Sequence, residues 1–93
     1  METYVILAKF KQPGGMNPQS AGEMMAQTQK TADALGVKIA SWLMLMGQYD
    51  VAYTIQTDNA GTAAKFAMFL GSAGLRTETL RAFTAEEAMG LLG

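Results

Sequence analysis

An α+β fold in the order β-α-β-β-α-β-α is what this sequence predicts, a ferredoxin-like split βαβ with one further C-terminal helix. Three observations predict it. Four short runs rich in β-branched and aromatic residues, at 3–10, 37–46, 49–57 and 75–83, read as strands. Two longer segments between them, 20–36 and 58–74, carry helical spacing and helix-start signals. The strands are apolar on both sides of their alternation, which a sheet with one wet face does not show. With 93 residues, one domain spanning 1–93 is expected.

The first strand, "TYVILAKF", has two largely apolar sides, with Tyr4, Ile6, Ala8 and Phe10 against Val5, Leu7 and Lys9. "KQPGGMNPQ" (11–19) holds both prolines and reads as a loop. Gly14-Gly15 there is no phosphate loop, because no Lys-Ser/Thr follows and no helix starts directly after it. The first helix opens on Ser20 with Glu23 three residues on, a capping-box pattern. Met24, Thr28, Ala32 and Leu35 share a face, and Gly36 suits the position after the helix. In the second strand Val37, Ile39, Leu43 and Leu45 oppose Ala40, Trp42, Met44 and Met46. Gly47-Gln48 is short enough for a tight hairpin turn into "YDVAYTIQT". Asp58 can cap the second helix, and Gly71 and Gly74 suit its end. The fourth strand, "LRTETLRAF", is followed by Thr84-Ala-Glu-Glu87, a second capping box, and a short terminal helix.

Right-handed crossovers place both long helices on one face of a four-stranded antiparallel sheet and leave the other face without cover. Four strands about 4.8 Å apart and roughly 20 Å long present about 400 Å² there. Monomers rarely leave a larger apolar patch bare. Hydrophobic residues make up 49% of the chain and charged ones 16%, below the usual quarter. The expected solution is a homodimer or higher oligomer with two sheets face to face, a dimeric α/β barrel.

Composition excludes more chemistry than it suggests. With no Cys and no His there are no disulfides, thiolate nucleophiles or His bases, and a transition-metal site is not expected. No cofactor is called for. A net charge of −1 gives no reason to expect nucleic acid or an anionic membrane as partner. The N-terminus lacks the basic start and cleavage site of a signal peptide, so a cytoplasmic location is the expectation.

"YVILAKF", the "GQYD" turn at 47–50 and above all "RTETLRAFTAEEA" at 76–88 resemble the GYD-domain family of small bacterial and archaeal proteins. The resemblance runs from Thr3 to about Met89 and implies the dimeric α/β-barrel superfamily. The family has no established activity, so the resemblance implies a fold and not a reaction. The chain is also similar to the ligand-binding domain of Lrp/AsnC regulators, which place a Gly-x-Tyr-Asp-like turn between strands two and three. That similarity implies a stand-alone effector-binding domain, since no helix-turn-helix segment precedes the first strand here. The cofactor-free monooxygenases of the same superfamily use pocket Asn, Trp or His residues, for which this chain could offer Trp42 and Asn59.

The functional expectation is a homo-oligomeric small-molecule-binding or interaction module. The alternative is a cofactor-free enzyme acting in the barrel cavity. If Leu80 and Ala82 face the helices, then Thr77, Thr79 and Arg81 face the sheet interface. Thr54 and Gln56 join them there, with Lys9 if the first strand turns that way. That set would make a polar, cationic pocket for a small carboxylate or similar anion, with Arg81 supplying a bidentate fork. A buried Arg81 has to meet a carboxylate of the protein or of a ligand. The plainer reading is cross-strand threonine pairs and an Arg–Glu pair blunting an edge strand. Asp50 reads as a turn residue accepting backbone N–H groups, with an oligomer contact or ligand site as the other possibility. Tyr49 reads as a packed ring with its hydroxyl near solvent. Trp42, Met44 and Met46 suit packing in the core or a dimer interface.

Overall fold

A computed structural model describes residues 1–11 and 18–93. Its elements are β1 (Glu2–Phe10), α1 (Pro18–Leu35), β2 (Lys38–Met44), β3 (Val51–Thr57), α2 (Ala60–Ser72), β4 (Leu75–Ala82) and α3 (Ala85–Leu92). This is the predicted α+β, ferredoxin-like order with its extra helix. The four strands form one antiparallel sheet in the order β2-β3-β1-β4, so β2 and β4 are the edges.

The helix ends follow local chemistry. α1 begins at Pro18, a residue suited to the first helical position because it has no N–H to leave unpaired. Ser20 therefore lies inside the helix and does not cap it, contrary to the capping box expected at Ser20 and Glu23. The Gly14-Gly15 reading lies outside the described residues. At the other end Gly36 takes φ 77°, and Val37 N–H reaches Ala32 O at 2.8 Å while Gly36 N–H reaches Asp33 O at 3.3 Å. These are the two bonds of a Schellman ending, and they need a residue at ease with positive φ. α2 is capped by Asn59, whose Oδ1 accepts from Thr62 N–H at 2.9 Å, and not by Asp58. Asn59 stands one residue closer to the helix, where its side chain meets the free N–H of the first turn. Thr84 and Glu87 form the expected reciprocal capping box on α3.

The core lies between the sheet and the two long helices. Tyr4, Ile6 and Ala8 of β1 and Val51, Tyr53 and Ile55 of β3 meet Ala32 of α1 and Ala63, Phe66 and Leu70 of α2. Phe66 is fully buried, edge-on to Tyr53 with centroids 6.1 Å apart. Burial drives the Tyr53 phenol above its ordinary pKa, against hydrogen bonding from Trp42 and Thr28. The buried Thr28 hydroxyl has no hydrogen bond of ordinary geometry, although it is close enough to Tyr53 to affect that ionisation.

Two features of the connections correct the sequence reading. β2 and β3 are joined by residues 45–50, not by a two-residue turn, and Gly47 in that loop takes φ 121°. The register of β2 against β3 shifts between Ile39 and Ser41, which inserts Ala40 as a bulge. Beyond the bulge the alternation reverses. Ile39, Trp42 and Met44 thus fall opposite Ile55, Tyr53 and Val51, while Leu43 falls opposite Ala52.

Candidate functional site

Directly paired residues in an antiparallel ladder share a face, so the registers assign both faces of the sheet. Tyr4 pairs with Arg81, Ile6 with Thr79 and Ala8 with Thr77, and those three β1 residues are buried under the helices. Arg81, Thr79 and Thr77 therefore belong to the helix side. Val5 pairs with Leu80, Leu7 with Glu78, Thr3 with Ala82 and Lys9 with Arg76 on the opposite, open side. This is the reverse of the parity expected for β4. Thr54 pairs with Val5 and Gln56 with Thr3, so both are on the open face, as is Lys9. The expected single pocket is split: Thr54, Gln56 and Lys9 are on one side of the sheet, Thr77, Thr79, Arg81 and Trp42 on the other.

The physical reason is the seat of Leu75. It is 1% exposed and pairs with Phe10 on the helix side, and every second residue of β4 follows it. Further along, β4 is a thinly covered edge, so Thr79 and Arg81 are exposed although they point to the helix side. Arg81 is thus not a buried charge in need of a carboxylate. Its guanidinium donates to Thr3 O at 3.1 Å and to Ala82 O, and lies 5.4 Å from the Tyr4 ring centre and 4.4 Å from that of Phe83. It ties the start of β1 to the end of β4. The Tyr4 hydroxyl donates to Glu2, and that bond raises its pKa. Trp42 packs against the core beside Tyr53.

The Gly-x-Tyr-Asp turn is anchored at two points. Past Val51 the chain turns away, and the N–H of Phe10 would lose its ladder partner. Asp50 fills the gap: its Oδ2 accepts from Phe10 N–H at 2.8 Å, while its own N–H reaches Ala8 O at 2.9 Å. Its carbonyl accepts from Leu45 N–H at 2.7 Å and closes the loop. Asp50 therefore extends the sheet by one rung. Tyr49 donates its hydroxyl to Glu78 Oε2 at 2.5 Å, across to β4 on the open face. That hydrogen bond holds the Tyr49 phenol above its ordinary pKa. The two most distinctive stretches of the sequence, "GQYD" and "RTETLRAF", thus meet in space. Glu78 was not among the residues expected to form a site; its place opposite Leu7 follows from the register alone.

The open face now has a definite chemistry. Leu43, Ala52, Leu7, Val5 and Leu80 form its apolar centre. Leu43 is 55% exposed and Leu80 41%. Ser41, Thr54 and Gln56 edge it on one side, and Lys9, Arg76 and the Tyr49–Glu78 pair on the other. Lys9 and Arg76 are directly paired like charges, and among the described residues neither makes an ion pair or side-chain hydrogen bond. A cleft of about 780 Å³ lies elsewhere, between α1 and the end of α2, with Phe10, Lys11, Glu23 and Phe69 on its walls. Phe10 and Lys11 lead directly into residues 12–17, and no site is assigned to that cleft. Among the described residues no group of three or more Asp or Glu could hold a metal ion, and no helix is long and apolar enough to cross a membrane.

Comparison with known proteins agrees with this geometry. Several solved structures share the fold. FFRP-DM1 matches with a TM-score of 0.63 at 19% identity, covering 89% of this chain and 100% of that one. TTHA0845 from Thermus thermophilus matches at 0.56 and 21%, covering 91% and 96%. At3g17210 from Arabidopsis thaliana matches at 0.61 and 13%, also covering 91% and 96%. At these identities the likeness concerns the fold alone. No curated protein matches in sequence. The GYD-domain profile matches residues 4–92, a span that takes in most of β1, all of β2, β3 and β4, the Tyr49-Asp50 turn and its Glu78 contact, and the chain belongs to the GYD-domain family.

Proposed function

We propose that the protein is a homo-oligomeric module whose helix-free sheet face docks on a second copy, leaving polar groups at its border to take a small molecule. The observation that carries this reading is the apolar centre of that face, with Leu43 and Leu80 exposed beside half-buried Val5 and Leu7. Left in water, this surface forfeits about 25 cal/mol for each Å² that a partner would cover. Thr54 and Gln56, at the border away from the cations Lys9 and Arg76, offer a small molecule hydroxyl and amide hydrogen bonds. Arg81 reaches such a ligand only from the helix side, at the rim of β4.

A second reading, a cofactor-free enzyme, has to draw on Tyr49 and Glu78, the proton-carrying pair that the open face brings together. The hydrogen bond between them keeps the phenol protonated, which suits a donor and not a base. Sedimentation equilibrium at micromolar concentration tests the first reading. A dimer that Leu7→Asp or Leu80→Asp dissociates supports it, and a monomeric wild-type chain refutes it.

A further inference from the structure

The terminal helix has no place in the domain. α3 packs against no other element among the described residues, and none of its side chains is buried. Yet its surface is apolar: Met89 and Leu91 are each 68% exposed and Leu92 84%, and Phe83 just before it is 50% exposed. Ala85, Ala88, Met89 and Leu92 fall on one side of the helix by their spacing. A free eight-residue helix is marginal in water, and Gly90 weakens it further. Its capping box sets where it starts but does not provide the packing from which helices in proteins draw most of their stability.

Area and charge both point to the same occupant. The open face, about 400 Å² in extent, is about half of the roughly 800 Å² per partner that a stable interface buries. α3 follows directly from β4, an edge of that face, and its exposed Met89, Leu91 and Leu92 add uncovered apolar area to the chain. At the opposite end of β4 stand Lys9 and Arg76, like charges paired across the ladder, an arrangement that is unfavourable by itself. Glu78, the acid on the same face, is engaged by Tyr49. Glu87 is engaged in the cap, while the Glu86 side chain is exposed and makes no ion pair or hydrogen bond among the described residues.

We propose that α3 is an arm that lies on a second copy of this chain, with its Glu86 set against Lys9 and Arg76 of that copy. A two-fold axis in the plane between the sheets, running across the strands, brings this about. It lays one β4 antiparallel over the other, so the end of each β4 and its α3 cover the start of the opposite β4. Such an interface is self-complementary, and each contact occurs twice. The proposal rests on the reading that the open faces associate, and it adds the element that completes their area and neutralises their cations.

The test is sedimentation equilibrium of the full chain and four sets of substitutions, at low and at physiological salt. The wild-type chain is a dimer at micromolar concentration, and Met89→Ser with Leu92→Ser weakens it at least tenfold. Arg76→Glu weakens it about tenfold at low salt and less at high salt. Glu86→Arg added to Arg76→Glu restores most of the loss. Leu7→Asp is the control for the sheet face. A dimer that Leu7→Asp dissociates, but that neither the Met89/Leu92 pair nor the charge swap affects, overturns the arm and leaves the sheet-face reading standing. A monomeric wild-type chain overturns both.

Discussion

The two faces of this sheet are built from the same strands and have opposite characters. On the helix side Tyr4, Ile6, Ala8, Val51, Tyr53 and Ile55 are sealed beneath α1 and α2. On the open side Val5, Leu7, Leu43 and Leu80 are equally apolar in type but are left half-buried or exposed around a buried Ala52. The first set contributes to the stability of one chain. The second contributes little to that chain and is available for association. Residue type alone therefore does not say what an apolar strand position is for; which side the helices occupy does.

The largest expected effect tests the sealed face. Phe66→Ala removes a fully buried ring that touches Tyr53 and Phe69, and should cost about 3–5 kcal/mol in denaturant unfolding. A cost below about 1 kcal/mol would mean that the sheet–helix layer is not the core. Next is the rung that joins the two regions. Asp50→Ala leaves the Phe10 N–H without its acceptor and should cost about 1–3 kcal/mol, with faster hydrogen exchange at that amide. If the exchange rate stays unchanged, the carboxylate is not the partner of that amide.

Leu80→Asp sharpens the contrast from the other side. As a surface change it should shift monomer stability by no more than about 0.5 kcal/mol, while raising the dimer dissociation constant well over tenfold. A large loss of stability at unchanged association would reverse the assignment of the faces. Arg81→Ala comes next in size. An exposed guanidinium over two rings contributes about 1 kcal/mol, not the several expected of a buried charge. A loss of several kcal/mol in chemical denaturation would contradict the exposed placement.

The smallest effect is read by titration. The Tyr49 phenol is held above its ordinary pKa first by its hydrogen bond to Glu78. Its folded value thus exceeds its unfolded one. The stability the pair adds is complete below about pH 10 and is lost as pH rises through the raised folded value. Tyr53, raised by burial, acts in the same direction. Ultraviolet titration of Glu78→Ala should return one tyrosine toward its ordinary range, and an unchanged curve would break the Tyr49–Glu78 contact.

Much of this was legible in the residues. The order of elements followed from strand and helix periodicity, and the Thr84–Glu87 box fixed the start of α3 because capping depends on neighbours three residues apart. Gly36 marked the end of α1 because a Schellman ending needs positive φ there. The two-sided apolarity of β1 gave notice of a second face. The family followed from the "GQYD" and "RTETLRAF" stretches, and the structure adds that these are in contact through Tyr49 and Glu78.

The sidedness of the candidate residues was a different matter. β4 reads equally well either way round, because Leu75, Thr77, Thr79 and Arg81 are no more apolar as a set than Arg76, Glu78, Leu80 and Ala82. Local pattern cannot choose between them when one edge strand buries a single residue. The choice is made by the packing that seats Leu75 in the core beside Phe10, and by the ladder that fixes all later pairs from it. The Ala40 bulge is similar: nothing in "KIASWLM" announces an extra residue, yet it turns Trp42 inward and Leu43 outward. The sequence by itself determined the elements, their order and the existence of two apolar faces, since those depend on near neighbours. Which face each side chain joins depends on contacts between residues tens of positions apart, and that only the tertiary structure decided.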